Sequence, residues 1–153
     1  MRRNTHRGFT LLFAVLIGSL LFTLGVSIAN IALKEIVLSA AGKDSERAFF
    51  SADTGTECAL YWDRRQGAFP DHQGPQPADI SCAGSTVTPT VTQANGSGAT
   101  SQFTLNTAVY CAIVTVAKTR APATATVIES RGRSDCGLGD NPARVERALR
   151  VTY

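Results

Sequence analysis

Between Gly8 and Leu33 the chain carries no charged residue, and Lys34 and Glu35 close the run. A short basic leader with Arg2, Arg3, His6 and Arg7 precedes it. A helix rises about 1.5 Å per residue, so a run of this length reaches ~37 Å, more than the ~30 Å hydrocarbon core of a bilayer. Leu, Ile, Val and Phe dominate it. The pattern predicts a membrane-spanning helix over residues 9–33. Leu11, Leu12, Phe13, Val15, Leu16, Ile17, Leu20, Leu21, Phe22 and Leu24 carry the anchoring. Asn30 is its most polar member and sits near the far end. Gly18 and Gly25 are tolerated in lipid and allow close helix approach. The positive leader predicts a cytoplasmic N-terminal side, with the rest of the chain outside. A cleaved secretory signal has an apolar stretch of only about 7–15 residues and a small-residue cleavage site at its far end. This run is longer and passes into an amphipathic helix, with no proline before Pro70. Removal at the far end is not expected.

The remaining residues, about 115, suffice for one small domain with a modest core. The net charge of +3 comes from the leader: with Arg2, Arg3 and Arg7 set aside, 12 basic residues face 12 acidic ones. A neutral outer domain has no footprint for non-specific nucleic-acid binding. The four cysteines, Cys58, Cys82, Cys111 and Cys136, form no C-x-x-C pair, which argues against zinc. An even count in a small domain beyond a membrane segment reads as two disulfides. Three pairings exist. Cys58–Cys82 and Cys111–Cys136 are favoured, since each closes a short loop worth about 3 kcal/mol.

Beyond the membrane run the helical pattern continues over residues 34–65. Phe49, Ala52, Thr56, Ala59, Leu60 and Asp63 recur at spacings of three and four, a narrow stripe suited to packing on a sheet. Of these, Phe49, Ala52, Ala59 and Leu60 are the expected helix–sheet contacts. Asp44, Glu46, Arg47, Asp53 and Glu57 mark the wetter sides. Arg64, Arg65 and Gly67 signal the helix end. Residues 67–84, with Pro70, Pro75 and Pro77, read as loop. Thr86-Val87-Thr88 and Thr90-Val91-Thr92 flank Pro89 as short edge strands, and Asn95-Gly96 reads as a turn. Asn95-Gly96-Ser97 also matches a glycosylation triplet, a pattern common by chance. Strands are expected at residues 103–105, 108–118, 124–131 and 144–153. In the third-last of these Tyr110, Ala112, Val114 and Val116 share a face; in the last, Val145, Leu149, Val151 and Tyr153 do. Arg147 interrupts that face and must snorkel or pair. The expected fold is α+β, with the second half of a long helix on a small antiparallel sheet spanning residues 66–153.

Catalytic patterns are sparse. The histidines are His6, in the leader, and His72, in a Pro-rich loop. There is no P-loop, G-x-G-x-x-G or G-x-S-x-G. No enzyme activity, cofactor or metal is expected. Asp53 and Glu57, four apart, place two carboxylates on one helix face, which suits a solvated or inter-subunit surface. Arg131, Arg133, Arg144, Arg147 and Arg150 are interspersed with Glu129, Asp135, Asp140 and Glu146, a mixed charged surface.

Two stretches carry a family resemblance. Arg7-Gly8-Phe9-Thr10-Leu11-Leu12 resembles the prepilin peptidase site of type IV pilin-like proteins. Ala48-Phe49-Phe50-Ser51-Ala52-Asp53-Thr54-Gly55-Thr56-Glu57 resembles the stretch after the apolar helix in PilX-like minor pilins. Together they cover roughly residues 7–63. The resemblance implies cleavage between Gly8 and Phe9, methylation of Phe9, a leader of residues 1–8 and a mature chain that keeps its apolar helix. It implies a pilin architecture, and as partners prepilin peptidase, other pilin subunits and the inner-membrane assembly machinery. The chain would lie in the bacterial inner membrane before assembly and in a surface filament afterwards. The fifth mature position, where most pilins have Glu, is Phe13. A charge in lipid costs at least ~2.5 kcal/mol and needs a partner, and this chain does not supply one. Some minor pilins and type II secretion K-like subunits share that absence.

Three functions follow as expectations. The first is a minor pilin or pseudopilin, a structural subunit of a pilus or related secretion filament. The second is a tip adhesin or DNA-uptake subunit, although no basic patch supports nucleic acid as partner. The third is a single-pass membrane protein with a disulfide-bonded outer domain.

Overall fold

The computed structural model describes residues 7–74, 76–108, 111–120, 123–137, 139 and 141–153. Arg2, Arg3 and His6 of the leader, Pro75, Tyr110 and Asp140 lie outside the described residues. Helix α1 spans Arg7–Gln66, and the chain divides into two compact units, Met1–Ala40 and Ala41–Tyr153.

In the first unit all ten residues assigned to anchoring are exposed, none by less than 45%. Ile36 and Leu38, beyond the charged pair Lys34-Glu35, are exposed as well. Three hydroxyls in the run turn back on their own helix: Ser19 donates to the Leu16 carbonyl, Thr23 to Leu20 and Ser27 to Thr23, each at 2.9 Å. Those bonds satisfy polar groups internally, as a segment in hydrocarbon requires. The helix is long and apolar enough to cross a membrane.

The second unit contains residues 41–66 of α1 and all the strands. The helix ends in a left-handed cap at Gly67 (φ 60°), whose N–H donates to the Asp63 carbonyl at 3.1 Å. A side chain at that φ would be strained, so glycine marks the stop. Arg64 and Arg65 in the last turn suit the negative end of the helix dipole.

Strands β1 (Ile80–Cys82) and β2 (Ser85–Val87) form a hairpin; β1 falls in the stretch 67–84 expected to be loop, while β2 overlaps the short strand expected at Thr86-Val87-Thr88. Its turn, Ala83-Gly84, has positive φ at both positions, the twist a two-residue hairpin needs. Three-residue strands among prolines are too short to show an alternating pattern. Strands β3 (Thr90–Asn95), β4 (Gly98–Asn106), β5 (Cys111–Thr119), β6 (Ala125–Arg133) and β7 (Glu146–Thr152) form an antiparallel meander in sequence order. The turn at Asn95-Gly96 is present: the Asn95 side-chain oxygen accepts from the Ser97 and Gly98 N–H groups, each at 2.9 Å. Strand β4 is much longer than the expected 103–105. Its first half, Gly98-Ala99-Thr100-Ser101, is too small and polar to read as strand, yet Ala99 and Ser101 are buried beside β5.

The core lies between helix and sheet. Phe103 and Leu105 of β4, Ala112, Val114 and Val116 of β5 and Ile128 of β6 face Ala59, Phe69, Ile80 and Cys82. Phe69 stacks on Phe103 with centroids 6.1 Å apart. The helix face differs from expectation at one residue. Ala52 and Ala59 are buried and Leu60 packs at the core's margin, but Phe49 is 46% exposed and Ala48 takes the inward place. The reason is spacing. A Cβ added to Gly132 of β6 would meet the Ala48 carbonyl oxygen at 2.1 Å and the Ala52 nitrogen at 2.3 Å. Helix and sheet backbones approach so closely that only Ala, Ser, Gly and Thr fit, and a phenyl ring is turned out.

Candidate functional site

Three parts of the molecule carry chemistry. The first is the helix–sheet junction at the end of α1. Lys118 of β5 places its ammonium 2.7 Å from Asp63 Oδ1, with side chains 17% and 4% exposed. The Tyr153 hydroxyl donates to Asp63 Oδ2 at 2.7 Å, and Lys118 also donates to the Phe69 carbonyl at 3.1 Å. The Tyr153 phenol is pushed up to about 12, first by burial and then by its bond to the Asp63 carboxylate. Arg64 lies over the Tyr153 ring, 3.9 Å from its centroid. Next to Asp63 in sequence, Trp62 Nε1 donates to the Ser81 carbonyl at 3.0 Å. The disulfide Cys58–Cys82 joins the same helix end to β1, with Cα atoms 5.8 Å apart. This cluster is a clamp: its polar groups are spent on one another. The sequence places Tyr153 on a strand face, but the pairing of Lys118 and Tyr153 with Asp63 is not legible in it. An aspartate on an otherwise apolar helix stripe was the available signal, since a buried carboxylate requires partners.

The second part is the opposite end of the sheet. Cys111–Cys136 ties β5 to the segment before β7, with Cα atoms 5.3 Å apart. Beside it is a small cavity of about 150 Å³ lined by Leu105, Ile113, Arg133, Asp135 and Arg144. Arg144 donates through Nη2 to the Gly137 and Gly139 carbonyls, at 2.6 and 2.5 Å, while its buried Nε has no hydrogen-bond partner among the described residues. Asp135 is held below the usual carboxylate range, chiefly by the Gly137 N–H and the Asn141 amide. The cavity is therefore braced by loop contacts. Arg147 resolves its place on the inner face by donating to Ser45 Oγ of the helix, through Nε at 3.0 Å and Nη2 at 2.8 Å.

The third part is the outward-facing surface. On the helix, Glu46, Phe50, Asp53, Glu57 and Tyr61 form a stripe opposite the buried residues, with Phe50 51% and Tyr61 55% exposed. On the sheet, Gln102, Ile113, Thr115, Val127, Glu129, Arg131, Arg133 and Arg150 line an open groove. Arg131 pairs with Glu129 at 2.8 Å and Arg133 with Glu146 at 3.1 Å. Arg150 has no partner among the described residues.

The remaining candidates are dispersed. His72 pairs with its neighbour Asp71, whose carboxyl is lowered chiefly by that bond. No cluster of three His, Cys, Asp or Glu side chains suited to a metal occurs among the described residues. Gly8 falls within α1, and Phe9 is exposed, its ring stacked on Phe13 at 6.3 Å. Gly8 and Phe9 belong to the first unit and the clamp to the second. Compared with family models, curated proteins and solved structures, the chain matches none.

What fold and surface define is an α+β chain with one long apolar N-terminal helix, compatible with a single-pass membrane anchor, and two disulfides.

Proposed function

We propose that this chain is a pilin-like assembly subunit, of the minor pilin or pseudopilin kind. The observation that carries the reading is the exposed, charge-free helix at residues 9–33, preceded by Arg7-Gly8-Phe9. Such a surface has to be covered by lipid or by other apolar helices. A helix that begins behind a cleavable leader and keeps its apolar part suits both in turn. Its mechanism is packing: residues 9–33 anchor the subunit in the inner membrane and then join a bundle of like helices, while the disulfide-bonded sheet unit faces outward. Phe13 sets it apart from a repeating subunit, because its apolar run offers no carboxylate to a neighbour's amino terminus.

The experiment is intact-mass and N-terminal analysis of the protein from a host with prepilin peptidase. A chain starting at N-methylated Phe9 is expected, and Gly8→Leu should abolish the cut. A start at Met1 in the unaltered protein would favour the plain membrane anchor. Normal removal of residues 1–8 from Gly8→Leu would rule out the peptidase reading.

A further inference from the structure

We propose that the outer helix stripe Glu46, Phe50, Asp53, Glu57 and Tyr61 of one copy docks on the outer sheet face around Ile113, Val127 and Arg150 of a second copy. The inference deepens the assembly reading and rests on it. It starts from charge. Glu46, Asp53 and Glu57 lie on one helix face at spacings of seven and four, and none has a cationic partner among the described residues. They repel one another weakly and gain from any cation brought opposite them. The sheet face offers Arg150 unpaired, with Arg131 and Arg133 beside it in the same groove. The groove floor is apolar at Ile113, Ala117 and Val127, where aromatic rings from the helix can bury.

The dimensions agree. From Glu46 to Tyr61 a helix extends ~22 Å, and strands of nine residues extend ~30 Å. The second unit already buries a helix face on one side of its sheet. The proposed contact repeats helix-on-sheet packing on the other side.

The faces also dictate the kind of assembly. They lie on opposite sides of one two-layer unit, so the contact is head-to-tail: each copy presents its helix to one neighbour and its sheet to another. Such heterologous contacts propagate rather than close on a dimer unless the rotation happens to form a ring. A single contact of this size belongs to the weak class and falls with salt. Confinement of the apolar helices to one membrane raises the effective concentration and compensates. With Phe13 leaving no charge in the apolar run, the outer unit is where charge can register one copy against the next.

The test uses the full chain in its membrane, with Phe50→p-benzoylphenylalanine as photo-cross-linker. Irradiation should give a covalent dimer whose cross-link maps to the groove residues of β5 or β6. Asp53→Lys with Glu57→Lys, or Arg150→Glu alone, should each lower the dimer yield at least about fivefold, since a like charge now faces its neighbour. All three changes combined in one chain should restore it. The side chains of Asp53, Glu57 and Arg150 have no hydrogen-bond or ion-pair partner among the described residues, and intact disulfides check that each variant folds. Cross-links to lipid or to the helix of another copy would overturn the proposal. So would a yield that ignores both charge reversals, or a combined variant that stays low. N-terminal mass on the same samples reports Gly8-Phe9 processing independently, so failure of the contact is told apart from failure of the assembly reading.

Discussion

Two glycines decide how the helix meets the sheet. A Cβ at Gly55 would sit 2.5 Å from Ser130 Oγ and 2.7 Å from a Val114 methyl, while one at Gly132 would strike helix backbone. Side chains can yield and backbone cannot. Gly55→Ala should therefore cost about 1–3 kcal/mol of overpacking, offset by roughly 1 kcal/mol of helix propensity. Gly132→Ala should cost clearly more, and urea titration of the two variants will rank them. Equal stability would contradict the close approach. Tyr153 makes a pH prediction. A tyrosine in an unfolded chain titrates near ~10. In the fold its phenol is pushed up to about 12. A group raised by folding contributes its full stability below the unfolded value and loses it as pH climbs from ~10 through the folded value. Wild-type stability should fall across that alkaline window, and Tyr153→Phe should fall less steeply. Parallel decline of both proteins would show that the phenol carries no such linkage. Neither glycine role nor the Asp63–Lys118–Tyr153 cluster could be read from spacing, because each depends on which atoms a distant strand brings opposite. The inward Ala48 in place of Phe49 has the same cause.

At the scale of elements, the cysteines bind the two ends of the helix–sheet layer. Cys58–Cys82 holds the end of α1 to the β1–β2 hairpin, and Cys111–Cys136 holds β5 to the loop before β7. Their sequence separations, 24 and 25, close loops of a size worth about 3 kcal/mol each in the chain-entropy account. Cys58→Ser with Cys82→Ser should lower the unfolding free energy by about that amount. Denaturation of the oxidised and doubly substituted proteins checks it; identical midpoints would mean the bridge adds nothing. The favoured pairing and the helix end at Gly67 were legible in advance, since both follow from local spacing. The meander was legible where strands are rich in Val and Ile, as at residues 111–116, and not where Ser, Thr and Gly fill the first half of β4. Strand β1 was hidden because three residues beside prolines are too short to show alternation, whereas its partner β2 overlaps the strand expected at Thr86-Val87-Thr88.

At the scale of the molecule, the dominant fact is apolar surface that none of the described residues covers. Leu20 lies near the middle of the charge-free run and is exposed. Leu20→Arg should lower membrane insertion, at a cost of at least ~2.5 kcal/mol for a charge at mid-helix. Fractionation of cells after alkaline extraction reads the result. Unchanged recovery in the membrane fraction would deny that this run is the anchor.

The sequence by itself determined the apolar helix, its limits and its flanking charges, because lipid solvation depends on composition along the chain and not on any distant contact. It determined the α+β class, because helix and strand periods are local. Tertiary structure alone decided that Ala48 rather than Phe49 faces the sheet, that Asp63 is paired with Lys118 and Tyr153, and that Gly55 and Gly132 set how closely helix and sheet approach. Those properties belong to pairs of surfaces, and a surface acquires its partner only when the chain has folded back on itself.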